Sequence, residues 1–155
     1  MAVHRYHVTV EWTGNRGSGT SGYRDYGRTH VARTDGKPEI PGSSDPHFRG
    51  EPERWSPEDL LVVSLSQCHM LWYLHMCAVN GVVVTGYLDA AEGTMDEQGD
   101  AGGRFTKVVL RPQVTVADES MVERAGALHH EAHARCFIAQ SVNFPVEYEP
   151  ATTVA

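Results

Sequence analysis

Three cysteines, Cys68, Cys77 and Cys136, offer this chain its most distinctive chemistry. A thiolate acts as a nucleophile or a metal ligand, and the cations, donors and other thiols around it decide which. Cys68 and Cys77 lie nine residues apart in one apolar run, a helical rise of roughly 13.5 Å. A disulfide needs Cα atoms within about 7 Å, so an unbroken helix keeps these two apart. Local geometry places no such limit on Cys68 and Cys136. Cys77 reads as a core residue, because free cysteine is among the most buried side chains. An arginine held by a carboxylate through bidentate bonds is the usual permanent cation beside a cysteine that, as a thiolate, attacks an O–O bond. The sulfenic acid product is trapped when a second cysteine closes a disulfide.

A second constellation competes for the same thiol. His129, His133 and Cys136 are spaced i, i+4, i+7, which on a continuous helix shares one face. Two histidines and a thiolate suit zinc, with His69 available as a fourth ligand, whereas His130 points elsewhere.

These residues need elements to position them. Ser56-Pro57-Glu58-Asp59 carries a cap, a proline at the first helical position and two acids at the positive end of the dipole. Asp59 stands where a capping box has Glu or Gln. The spacing predicts a helix from Ser56 to Asn80-Gly81, roughly 24 residues and about 36 Å long. It is apolar on nearly every side, as in a buried core helix. Ser64, Ser66, Gln67, His69, Tyr73 and His75 within it argue against a membrane span. Strands are predicted over residues 4–12, with Tyr6, Val8, Val10 and Trp12 on one face, and over 20–33, 82–93 and 104–116. Residues 34–55 read as a long loop that could serve as a lid. A loop over 95–103 joins the third and fourth strands. Asp118 caps a second helix over 119–134, with Cys136 at or just past its end. A short helical stretch and a strand over 142–148 follow. The order β-β-α-β-β-α-β is an α+β fold in one domain, residues 1–155, whose long helix needs more cover than one small sheet supplies. That points to a dimer.

With 155 residues, 13 basic and 20 acidic, the chain carries a formal charge of −7. This argues against nucleic acid or an anionic membrane as partner. The first residues lack the apolar core of a signal peptide, so a cytoplasmic location is expected. A reducing compartment keeps structural disulfides rare, leaving reactive, metal-bound or buried thiols.

Pro57-Glu58, ten residues before Cys68, together with Ala134-Arg135-Cys136-Phe137-Ile138-Ala139-Gln140-Ser141, resembles the OsmC/Ohr family of osmotically inducible and organic-hydroperoxide-resistance proteins. The resemblance implies antiparallel sheets around a long buried central helix in an intertwined homodimer, with active sites at the subunit interface. It implies a thiol peroxidase that reduces organic hydroperoxides in oxidative-stress defence, with Cys68 peroxidatic and Cys136 resolving. A dithiol such as a dihydrolipoyl group would recycle it, with no bound cofactor. Glu58 would correspond to the arginine-orienting carboxylate. Arg16, in the turn after the first strand, is similar to the position that supplies the arginine; Arg49, Arg28 and Arg24 are its rivals. Ten helical residues separate Glu58 from Cys68 by about 15 Å, so either the helix breaks or Glu58 serves the other subunit. Phe137 stands where many members carry proline. Met70, Trp72, Tyr73, Phe137 and Phe144 are available to line an apolar substrate pocket. The alternative is a non-catalytic OsmC-like stress protein binding a small ligand or metal through His129, His133 and Cys136.

Overall fold

The caps expected near position 56 are in place, and helix α1 runs unbroken over Pro57–Val79. The Asp59 amide donates to Ser56 Oγ and the Ser56 amide donates to Asp59 Oδ2, each at 3.1 Å, so the aspartate version of the capping box closes both ways. At the other end the amides of Asn80 and Val82 donate to the Cys77 carbonyl, around Gly81 at φ 74°. Only glycine takes that left-handed turn without strain.

In a computed structural model that describes all 155 residues, the chain falls into two units, Met1–Leu61 and Val62–Ala155. The first holds one antiparallel sheet in the order β1-β2-β3 (Thr9–Trp12, His30–Arg33, Ile40–Gly42). The strands predicted over 4–12 and 20–33 are therefore shorter than expected, and part of the predicted loop over 34–55 is strand. The reason lies in residues 13–28. Gly14 and Gly27 approach so closely that a Cβ on Gly14 would sit 1.9 Å from the Gly27 carbonyl oxygen. The Gly27 amide donates to the Gly14 carbonyl at 2.8 Å and Trp12 Nε1 to the Gly27 carbonyl at 2.8 Å. This staple closes a loop where a continuous strand was expected. The rest of the predicted lid holds a 3₁₀ turn over Pro46–Phe48, capped by Asp45.

The second unit holds two mixed sheets. One is β4-β7-β9 (Val84–Asp89, Pro112–Val116, Ala151–Val154) and the other β5-β6-β8 (Glu92–Glu97, Gly103–Leu110, Val146–Tyr148). The predicted strands 82–93 and 104–116 each divide in two. Asp89 and Arg111 mark the breaks: the Arg111 amide donates to Asp89 Oδ1 at 2.6 Å, and Pro112, without an amide hydrogen, begins β7. Strands β8 and β9 pair parallel to β6 and β7, so the sheets are not purely antiparallel. The long return through helix α2 (Val122–Arg135) permits this, since parallel neighbours need a crossover.

Leu65, His69, Tyr73, Met76 and Cys77 form the buried stripe of α1. Leu65 packs with Val108 and Leu110; Tyr73, Met76 and Cys77 pack with Val114, Val116 and Leu128. Full burial of one such aliphatic side chain contributes about 1.5–3 kcal/mol. By length and composition α1 could cross a membrane, but this stripe instead builds the core of the α+β fold. The all-round burial expected of α1 is not reached within one chain: Leu71 and Val79 are 62% and 63% exposed.

Candidate active site

Cys68 occupies the middle of α1 and is half-buried. Cys136 follows the last residue of α2, where its ψ of 110° takes the chain out of the helix, and it is buried. The fold brings the Cys68 sulfur close enough to Cys136 to raise the pKa of that thiol. Burial first, and the adjoining Cys68 sulfur second, push the Cys136 thiol up to about 11. At neutral pH Cys136 is therefore protonated beside Cys68. The Ala139 amide donates to Cys136 Sγ at 3.4 Å and fixes its position. Cys77 is a different case: it is buried beside Tyr73, and burial raises its pKa.

One turn of α1 beyond Cys68, an aromatic rim opens outward. Trp72 meets Phe137 edge-on at 5.5 Å and His75 at 5.8 Å. Leu71, Trp72 and His75 line an open recess of about 240 Å³. Trp72 and Phe137 thus stand near the thiols as expected. Tyr73 does not: it is buried, its hydroxyl donating to the Ala125 carbonyl at 3.0 Å. Phe144 packs against Phe105 in the Leu65 cluster.

Facing inward, His69 Nε2 and His129 Nδ1 are 3.0 Å apart, with ring planes 5° from parallel and centroids 5.3 Å apart. The rings are thus coplanar and meet head-on, a hydrogen bond in which one nitrogen carries the proton. Tyr73 stacks on His129 at 3.9 Å, and Tyr148 lies against His69, His129 and His133. Burial lowers His69 and His129 to about 4, so both are neutral at pH 7.

In the first unit, Arg16 sits in the loop closed by Gly14 and Gly27. Asn15 Oδ1 shapes its turn by accepting from the amides of Gly17 and Gly19 at 2.9 and 3.0 Å. The carboxylate that feels the Arg16 charge is Glu51, which Ser43 Oγ also holds and whose pKa is lowered, chiefly by that hydroxyl. Arg28 is engaged otherwise, stacked 3.9 Å over Tyr26 and donating to the carbonyls of Tyr23 and Tyr26. Arg49 caps the 3₁₀ turn at φ 66° and lies 5.8 Å from the Tyr23 ring. Arg24 is exposed. Glu58 Oε2 is buried without a hydrogen-bond partner, and no ion pair joins Glu58 to Arg16. Because α1 is unbroken, the broken-helix route from Glu58 to Cys68 is excluded.

Residues 50–150 match the sequence profile of OsmC-like proteins. The chain belongs to the OsmC-like family. An OsmC-like protein of unknown function from Vibrio cholerae is 32% identical over 96% of this chain and 100% of its own, with a TM-score of 0.85. Two more distant structures share the OsmC fold. One is an organic hydroperoxide resistance protein from Legionella pneumophila, at 17% identity and TM-score 0.70 over 99% of this chain and 100% of that one. The other is an organic hydroperoxide resistance protein from Elizabethkingia anophelis, at 16% and 0.68 over 98% and 99%. No curated protein sequence matches.

This OsmC-like chain departs from the metal reading. No group of three or more His, Cys, Asp or Glu side chains is arranged to hold a metal ion. The shared face of His129, His133 and Cys136 breaks because α2 ends at Arg135, while His129 is committed to His69 and Cys136 to Cys68. His130 turns toward the Tyr148 hydroxyl, 3.4 Å away. The sequence reading missed Glu51 and Tyr148 altogether. Neither lies at a motif spacing, and only the folded chain brings them to their partners.

Proposed function

We propose that this OsmC-like protein is a thiol peroxidase that reduces organic hydroperoxides in the cytoplasm, with Cys68 peroxidatic and Cys136 resolving. The observation that carries it is the contact between these two free thiols, one half-buried and one sealed, from sequence positions 68 residues apart. In the first step the Cys68 thiolate attacks the outer peroxide oxygen, the O–O bond breaks, and the alkoxide leaves as an alcohol after taking a proton. Sulfur is oxidised to the sulfenic acid, Cys68–S–OH. In the second, the Cys136 sulfur attacks Cys68, forms the disulfide, and its proton departs with the hydroxyl as water. A dithiol such as dihydrolipoamide then reduces the disulfide.

The protonated Cys136 offers a hydrogen bond to the sulfur that must carry negative charge. The aromatic rim of Trp72 and Phe137 beside an open recess suits an apolar peroxide. The activating pair is Glu58 with an arginine, Arg16 first, supplied across a homodimer. Glu58 Oε2 is a buried acceptor without a partner, the kind of oxygen that a guanidinium satisfies. The bare apolar side chains Val8 and Val10 and the outer face of α1 are surfaces such a copy would cover.

Consumption of cumene hydroperoxide with dihydrolipoamide, compared for wild type and Cys68→Ser, tests the assignment. Loss of turnover in the variant is expected; equal rates would remove the peroxidase reading.

A further inference from the structure

The thiol chemistry makes no direct use of the most unusual feature of the core. His69 and His129 are 1% and 0% exposed and bond only to each other. Their outer nitrogens, His69 Nδ1 and His129 Nε2, are buried without partners. Whichever ring donates, one outer nitrogen is then a bare acceptor and the other an unmatched donor. A pair of apolar side chains would fill this space without stranding polar atoms, so packing alone does not account for it. What two histidines add is direction. Their bond joins α1 at the residue after Cys68 to α2 two turns before Cys136, and it holds only when the rings meet in plane.

We infer that the His69–His129 pair is the positioning element of disulfide closure: it locks α1 to α2 in the register that brings the Cys136 sulfur onto Cys68, and acid releases the lock. This rests on the thiol reading above. The step it serves is Cys68–S–OH plus Cys136–S–H giving Cys68–S–S–Cys136 plus water, after an organic hydroperoxide has oxidised Cys68. The surroundings explain the acid sensitivity. Tyr73 on α1 and Tyr148 on β8 present ring faces to the pair, and His133 on α2 adds a like charge once protonated. From β4 the Asp89 carboxylate favours a charged His69, but its oxygens are engaged by Ser66 Oγ and the Arg111 amide. Exposed His130 lies outside the pair, at the Tyr148 hydroxyl. A first added proton therefore puts an unpaired charge into the core, and a second removes the hydrogen bond.

The test separates closure from peroxide reactivity. Reduced protein is treated with one equivalent of cumene hydroperoxide in one arm and with diamide, which drives closure without a peroxide, in the other. Cys68–Cys136 crosslinking is timed by mass spectrometry from pH 7.5 down to 3.5, through the region near pH 4 where the pair takes up protons. His129→Phe keeps a ring against Tyr73 but cannot bond to His69, and it should close at least about tenfold more slowly in diamide, as a small misplacement of reacting atoms does. His129→Gln keeps a hydrogen-bonding side chain that does not titrate, and it should close near the wild-type rate with a flatter fall toward acid. Wild-type closure rates in His129→Phe would overturn the inference. Should that variant not fold, a His129→Gln profile falling as steeply as wild type would overturn it equally. Failure in the peroxide arm alone, with diamide closure behaving as described, would count against the peroxidase reading and leave the lock supported.

Discussion

The two units of this chain prepare their polar groups in opposite ways. In Val62–Ala155 the reacting groups find each other: Cys68 meets Cys136 and His69 meets His129, each pair joining α1 to α2 or the turn just after it. In Met1–Leu61 the expected activating pair stays apart. Arg16 lies near Glu51, and Glu58 keeps a buried oxygen with no partner. That unit also leaves Val10 of β1 65% exposed and Val8, just before it, 73% exposed. The difference teaches that one chain brings the proposed disulfide partners together but leaves the proposed activating pair of Glu58 and Arg16 apart. On the proposed reading, a second copy brings that pair together.

The largest expected effect tests the complete half. Cys68→Ser should lower peroxide turnover by at least about a thousandfold, as loss of a nucleophile does, in the dihydrolipoamide-coupled assay. Cys136→Ser should still consume one equivalent and then stall, with a dimedone adduct at Cys68; sustained turnover would mean that Cys136 is not the resolving thiol.

The incomplete half is probed next. Val10→Asp, on the bare β1 face, should give a monomer by light scattering and a protein without turnover. An active monomer would break the contrast between the units. Glu58→Gln should slow turnover roughly 10- to 100-fold, the worth of a hydrogen bond to a charged group, while leaving diamide closure unchanged.

Smaller effects concern stability. His69 and His129 sit near 4 in the folded chain against an ordinary 6.5, so between those values the unfolded chain binds more protons. Stability should be full above pH 6.5 and fall as the pH drops from 6.5 toward 4. Urea midpoints at pH 7 and 5 check this, and equal midpoints would contradict the burial of neutral histidines. Cys77→Ala should cost about 1–2 kcal/mol from the cavity it leaves and alter turnover little.

Much of this arrangement was legible in the sequence. Ser56 and Asp59 announced α1 because capping is local, and the stop at Gly81 is equally local. The two thiols could be singled out because helix rise forbids Cys68 from pairing with Cys77. What stayed hidden depends on contacts distant in sequence. The staple between Gly14 and Gly27 removes most of the strand expected over 20–33, and the Asp89–Arg111 hydrogen bond splits two others. The histidines were visible as residues but not as a pair. Spacing along α2 groups His129 with Cys136, whereas packing of α1 against α2 turns each toward a different partner.

The most direct measurement is intact mass and peptide mapping of the reduced protein after one equivalent of an organic hydroperoxide. The account predicts the loss of two hydrogens and a single Cys68–Cys136 crosslink, with Cys77 still a free thiol. An unchanged mass, or oxygen added at Cys68 with no crosslink to Cys136, would contradict it.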